Sequence, residues 1–300
     1  MRWSDELSAI LGSSAIATAL VITLPQTAVA LSGTQINNIA REVTVLIASE
    51  NGHGSGVIIS RNSDTYYVLT AYHVVFNEDE YALVTHDKQA YAIDYSTVKP
   101  LPGVDLAVLE FTSDRDYPTA KFANSDLSSE GQEVFVSGWP APGTTGQVIR
   151  QFTDGRISGF LDTPVEGYQT IYTNVTRRGM SGGAVFDAGG RVIGIHGMGD
   201  YEDPRRLAAI EGMSPEAATS IASMIKPGFN YAIPINTYLQ LAPQSGIYLN
   251  VEVDNTPAPD LGAPYVAGEP DERDTIDNLN STLDTVGRVV DTVDRIRRFF

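Results

Sequence analysis

Cysteine is missing altogether from the 300 residues, and histidine occurs only four times. The first absence excludes a disulfide framework, a thiol nucleophile and a cysteine-ligated zinc. The second leaves too few imidazoles for a histidine-rich metal site. Basic residues are scarce as well: 20 Lys and Arg face 37 Asp and Glu, for a net charge of −17. A phosphate backbone would be repelled by such a chain, which excludes nucleic acid as a partner. Beyond residue 24 no apolar run is long enough to span a bilayer. The chemistry left is that of hydroxyl nucleophiles, carboxylates and a few imidazoles, and no cofactor or metal is expected.

What is present describes a folded chain. Hydrophobic residues make up 42% and charged residues 19%, a globular balance, and the length suffices for one large all-β domain or two ordinary ones. Acids outnumber bases in residues 1–30, 31–253 and 254–300 alike, so the negative charge is a general solvated surface. At the N-terminus, Arg2 precedes an apolar run over 7–24, then Pro25 and the triplet Ala28-Val29-Ala30. This is the pattern of a secretory signal cleaved after Ala30. It implies export to a periplasmic or extracellular space, with no membrane attachment once the leader is gone. Asp5, Glu6 and Gly12 depart from the pattern and keep an uncleaved anchor or an ordinary helix as the other readings.

Residues 35–41 read as a short helix. Strands rich in Val, Ile and Tyr follow at 43–48, 56–60, 66–70, 90–95 and 106–111, then at 133–138, 148–153, 168–173, 184–186, 192–196 and 230–235. Two groups of short strands, joined across 114–131 and without regular helices between them, predict an all-β chain of antiparallel barrels or sandwiches over 31–253. A helical excursion is expected over 204–225. Prolines and glycines make 254–273 an extended linker. In 274–300, Ile276, Leu279, Leu283, Val286, Val290 and Val293 recur at heptad spacing. That amphipathic helix could form a homo-oligomeric coiled coil, dock on its own domain or lie on a membrane surface; its acidic flanks disfavour anionic lipid.

Three short motifs concern chemistry. Gly179-Met180-Ser181-Gly182-Gly183 places a serine in a turn between strands, and Thr70-Ala71-Tyr72-His73 ends a strand on a histidine. Gly103-Val104-Asp105 opens another strand with an aspartate. A serine hydroxyl attacks only when a base takes its proton and donors receive the oxyanion. The order His73, Asp105, Ser181 is one of the arrangements known for a Ser-His-Asp triad.

The segments GSGVIIS (54–60), LTAYHVV (69–75), GVDLAVLEF (103–111), GMSGGAVFD (179–187), RVIGIHG (191–197) and FNYAIPINTYL (229–239) resemble the chymotrypsin-fold, trypsin-like serine peptidases, most nearly their disulfide-free bacterial branch. The resemblance spans roughly residues 40–245. It implies two packed antiparallel β-barrels, with His73 as general base, Asp105 as its orienting partner and Ser181 as nucleophile. The N–H groups of Gly179 and Ser181 would form the oxyanion hole, and a peptide or protein would be the substrate. Tyr72, Ala184 and Met180 depart from the family pattern. Met180 replaces the aspartate used in zymogen activation, so that switch is not implied.

Residues Thr176 and His196 are similar in position to the pair with which bacterial glutamyl endopeptidases hold a substrate carboxylate, which implies a preference for Glu or Asp before the scissile bond. Against it stands His196 as a packed residue, and Val175 could instead mark a small apolar pocket. Gly197, Met198 and Gly199 would pair with the extended peptide. The alternative function is a catalytically silent or gated peptidase-like binding or scaffold protein, with residues 200–229 as a lid.

Overall fold

The computed structural model describes residues 30–142, 147–199, 228–260, 265–266 and 271–276. The expected leader, the helical excursion over 204–225 and the heptads beyond Ile276 lie outside the described residues.

Helix α1 (Gly33–Val43) opens on a capping box between Ser32 and Gln35, which extends it beyond the expected 35–41 and satisfies its first N–H groups. Seven strands then form one antiparallel sheet: β1 (Thr44–Ser49), β2 (Gly52–Asn62), β3 (Thr65–Thr70), β4 (Tyr81–Val84), β5 (Ala90–Ile93), β6 (Lys99–Pro100) and β7 (Ala107–Thr112). Their order is β5-β4-β1-β2-β3-β7-β6, a half-barrel that curls over its own core. Strand alternation explains why these segments read as continuous apolar runs. On β2, Ile58 faces the half-barrel's interior while Val57 and Ile59 face the second sheet; on β7, Leu109 and Phe111 face inward and Val108 outward. Both faces are buried. The sequence reading passed over β4, a run of only four buried residues among acidic neighbours.

The second sheet uses β8 (Phe122–Ala123), β9 (Glu133–Gly138), β11 (Gln151–Val165), β12 (Tyr168–Tyr172), β13 (Ala184–Phe186), β14 (Val192–Gly199), β15 (Asn230–Pro234) and β16 (Val253–Asp254). The series β13-β9-β11-β12-β15-β14 closes on itself through β13–β14, giving a barrel without free edges among those strands. The fold is therefore the double barrel of the chymotrypsin type. Phe135, Ile195 and Ile233 from the closed barrel, Leu69 and Val108 from the half-barrel, and Ile36 of α1 share one buried cluster that fixes the two units together. Helix α2 (Ile235–Leu241) follows β15 and adds Ile235 and Tyr238 to it.

The described parts of 254–273 are held to the domain at several points. Arg191 reaches Asp254 and donates to Thr256 and the Pro257 carbonyl. Tyr265 lies edge-on against Phe152. The chain then forms strand β17 (Thr275–Ile276) on β10 (Val148–Ile149), so residues 274–276 belong to the domain and not to the expected helix. Asp274 sits between two nearly buried guanidinium groups, accepting from Arg150 at 2.6 Å and from Arg41 at 2.9 and 3.0 Å. Removing one partner of such a cluster strands charge in the interior. Asp274→Ala is expected to cost about 3 kcal/mol of unfolding free energy. Urea denaturation reads this as a lowered midpoint; an unchanged midpoint would refute the clasp.

Candidate active site

His73 lies in a single 3-10 turn, Tyr72–Val74, that begins where β3 stops. Asp105 stands in the loop before β7, where its N–H donates to the Glu166 carbonyl and its carbonyl accepts from Tyr72. The two side chains meet. Asp105 Oδ1 accepts the backbone N–H of His73 at 2.8 Å, and Oδ2 lies 2.6 Å from His73 Nδ1. An ionised carboxylate only accepts, so Nδ1 is the donor of this pair, and in a neutral imidazole the lone pair then lies on Nε2. Tyr168 on β12 donates to the same Oδ2 at 2.6 Å. Burial works to raise the Asp105 carboxyl, and the hydrogen bonds from His73 and Tyr168 outweigh it, holding it below the ordinary carboxylate value.

Ser181 sits in the turn between β12 and β13, which the half-barrel props from below. Ser55 on β2 donates its N–H to the Ser181 carbonyl at 2.7 Å and its hydroxyl to the Gly179 carbonyl at 2.9 Å, and it accepts the Trp139 N–H. Gly182 takes a φ of +85°, and a Cβ there would lie 2.0 Å from the Ser55 carbonyl, so only glycine fits. The Arg178 carbonyl accepts from Ala141 at 2.7 Å. In a trans peptide the following N–H points the opposite way, so Gly179 N–H faces away from Ala141. Neither Gly179 nor Ser181 donates its N–H to another described residue. Met180 is fully buried among Val136, Tyr172 and Val185, where an aspartate would be costly. The Ser181 hydroxyl donates to the Gly197 carbonyl at 3.2 Å and makes no hydrogen bond to His73.

Residues 54–195 match the family described as Trypsin-like peptidase domain. Over those residues the chain is similar to trypsin-like peptidase domains. A serine protease Do-like HtrA from Lactobacillus helveticus is 26% identical over 194 residues, 60% of this chain and 46% of the relative. A probable periplasmic serine endoprotease DegP-like from Pseudomonas fulva (strain 12-X) is 34% identical over 146 residues, 48% of this chain and 28% of the relative. The chain thus spans less than half the length of these relatives. Among solved structures, an inactive form of Rv3671c from M. tuberculosis H37Rv matches with a TM-score of 0.51 at 20% identity, covering 74% of this chain and 97% of that one.

The other contacts predicted from the sequence divide. Val175 is 68% exposed. Thr176 donates to Asn230 Oδ1 on β15. His196 is buried, with Nδ1 2.6 Å from the Tyr172 hydroxyl and its ring bonded to the Tyr231 backbone. Both residues of the expected carboxylate-binding pair therefore have internal partners. Gly197 and Met198 line an open cavity of about 840 Å³ beside His73, whose apolar walls include Phe76, Leu101 and Val104. Gly199 pairs with Asn230 on one side of β14, and β13 reaches only to Ile195 on the other. The outer edge of Gly197-Met198-Gly199 is left open among the described strands. Sequence reasoning missed Ser55 as a prop and Tyr168 as the partner of Asp105: one lies inside a glycine-rich strand, the other looks like any strand aromatic.

Burial first, and then repulsion from His73, lowers His196 from its ordinary 6.5 to about 4. The folded state resists a proton that the unfolded chain accepts. Stability is therefore full above pH 6.5 and lost as pH falls toward 4, by up to about 3 kcal/mol. Urea midpoints at pH 7 and pH 4.5 should show this fall in the wild type and a shallower one in His196→Gln; equal slopes would refute it.

Proposed function

We propose that this chain is an exported serine endopeptidase, with His73, Asp105 and Ser181 as its catalytic residues. The observation that carries the reading is the carboxylate–imidazole pair, which orients His73, together with a serine turn in which neither the Gly179 nor the Ser181 N–H donates to another described residue. In the proposed reaction, rotation of the Ser181 side chain exchanges the Gly197 carbonyl for His73 Nε2. Such hydrogen bonds tighten when substrate arrives. Ser181 Oγ then attacks the peptide carbonyl while His73 takes its proton, and the N–H groups of Gly179 and Ser181 receive the oxyanion. The imidazolium, steadied by Asp105, returns the proton to the leaving amine, and water activated by His73 hydrolyses the acyl-enzyme. Export rests on the leader pattern and on the periplasmic designation of the DegP-like relatives.

The substrate would be an extended chain adding to the open edge of Gly197-Met198-Gly199, with an apolar side chain in the cavity between Phe76 and Met198. A Glu or Asp preference would require Thr176 and His196 to give up their internal partners, and the charge of −17 opposes acidic peptides at long range. The apolar cavity is the stronger determinant in this proposal. One observation favours the second reading, a gated or silent peptidase-like binding protein: the Ser181 hydroxyl is turned toward Gly197. Hydrolysis of an unfolded protein such as casein separates the two. The wild type should cleave it and Ser181→Ala should lose at least about a thousandfold in rate; no cleavage by the wild type would favour the binding protein.

Self-association through residues 274–300 belongs to the same proposal. Because Asp274 and β17 are bound to the domain, a coiled coil would begin after Ile276. Light scattering should give a larger mass for the full chain than for a version ending at Ile276, and equal masses would refute it.

A further inference from the structure

We propose that the Tyr168 hydroxyl is a fourth member of the His73, Asp105 and Ser181 set: a positioning residue that holds the Asp105 carboxylate from the closed barrel, with Gly197 kept free of a side chain to admit it. The inference rests on the peptidase reading above and adds to it a residue that the Ser-His-Asp pattern does not contain.

Three observations carry it. Tyr168 is 2% exposed, and its hydroxyl donates at 2.6 Å to the oxygen that also holds His73 Nδ1. A buried hydroxyl aimed at a carboxylate is a charge-assisted hydrogen bond, stronger and shorter than a neutral one. Second, a Cβ built on Gly197 would stand 1.9 Å from the Tyr168 hydroxyl oxygen and 2.9 Å from its Cζ. Any other residue at 197 would drive the hydroxyl off Asp105. Third, Gly197 lies at the irregularity in β14 between His196 and Met198, and its carbonyl accepts from Ser181. One backbone unit therefore borders both Tyr168 and the serine.

The consequence is geometric and electrostatic. His73 supplies both of its donors from the half-barrel, and by themselves they would let the carboxylate move with that unit. Tyr168 ties Oδ2 to the closed barrel, where Ser181 also resides. Burial, and after it the negative charge of Asp105, raises the Tyr168 hydroxyl well above its ordinary value, so it remains a donor throughout the working range. The other titratable groups facing this cluster are Tyr72 and Glu166 in the cavity wall, Tyr172 behind Tyr168, and His196. None of these four side chains hydrogen-bonds Asp105.

Tyr168→Phe removes one oxygen and keeps the ring. Oδ2, relieved of its second donor, would hold the His73 proton more tightly. The acid limb of the kcat/KM profile should then move to higher pH by about half a unit, with kcat/KM at its plateau lowered roughly tenfold. The downfield proton resonance of His73 Nδ1–H should shift as well, which NMR reads without turnover, while circular dichroism reports an unchanged fold. A Tyr168→Phe protein with the wild-type pH profile and an unshifted resonance would overturn the proposal and leave the Ser181 reading standing. Absence of hydrolysis in the wild type would remove the Ser181 reading, and the resonance would still decide whether Tyr168 acts on the pair.

Discussion

The carboxylate of Asp105 belongs to the half-barrel by chain and to both units by hydrogen bonding. His73 binds it from one side, Tyr168 binds it from the other, and the Asp105 N–H donates to Glu166 at the β11–β12 hairpin. A buried carboxylate is expensive unless its lone pairs are filled. Here the donors that fill them also register the two units against each other. Placement of the imidazole relative to the serine turn depends on that shared acceptor. An error of about 1 Å between such groups would be costly to any reaction that needs them together.

A second joint works in the opposite direction. Ser55 reaches from the half-barrel into the serine turn of the closed barrel, with its N–H on Ser181, its hydroxyl on Gly179 and its carbonyl accepting from Thr70. The Trp139 N–H completes the set at the Ser55 hydroxyl. Trp139 in turn packs in the small cluster that contains Val148 and Ile276. The C-terminal clasp thus lies beneath the same region that supports the turn. With no disulfide in the chain, this work falls to hydrogen bonds and to the Arg41–Asp274–Arg150 group.

The double barrel was legible because the strands near the shared core are buried on both faces. Runs such as Val57-Ile58-Ile59 and Leu106-Ala107-Val108-Leu109 announce themselves without alternation. At the candidate site, the meeting of His73 and Asp105 was legible from their strand-end contexts, helped by resemblance. What local pattern could not supply is pairing at long range. Asp274 meets Arg41 and Arg150 across 233 and 124 residues, and nothing in a Pro- and Gly-rich stretch says where it docks. His196 was suited by type to a substrate carboxylate, yet its depth and its bond to Tyr172 are tertiary facts. Tyr168 was hidden for the same reason, since a strand tyrosine and a strand-edge glycine carry no signal until the fold sets one against the other.

The central claim is that Ser181, in the setting built by His73 and Asp105, is a nucleophile. The most direct measurement is the intact mass of the purified protein after reaction with a fluorophosphonate, followed by peptide mapping. The account predicts a single phosphonyl adduct on Ser181, formed by the wild type and absent from His73→Ala. An unmodified protein, or an adduct on a different residue, would contradict it.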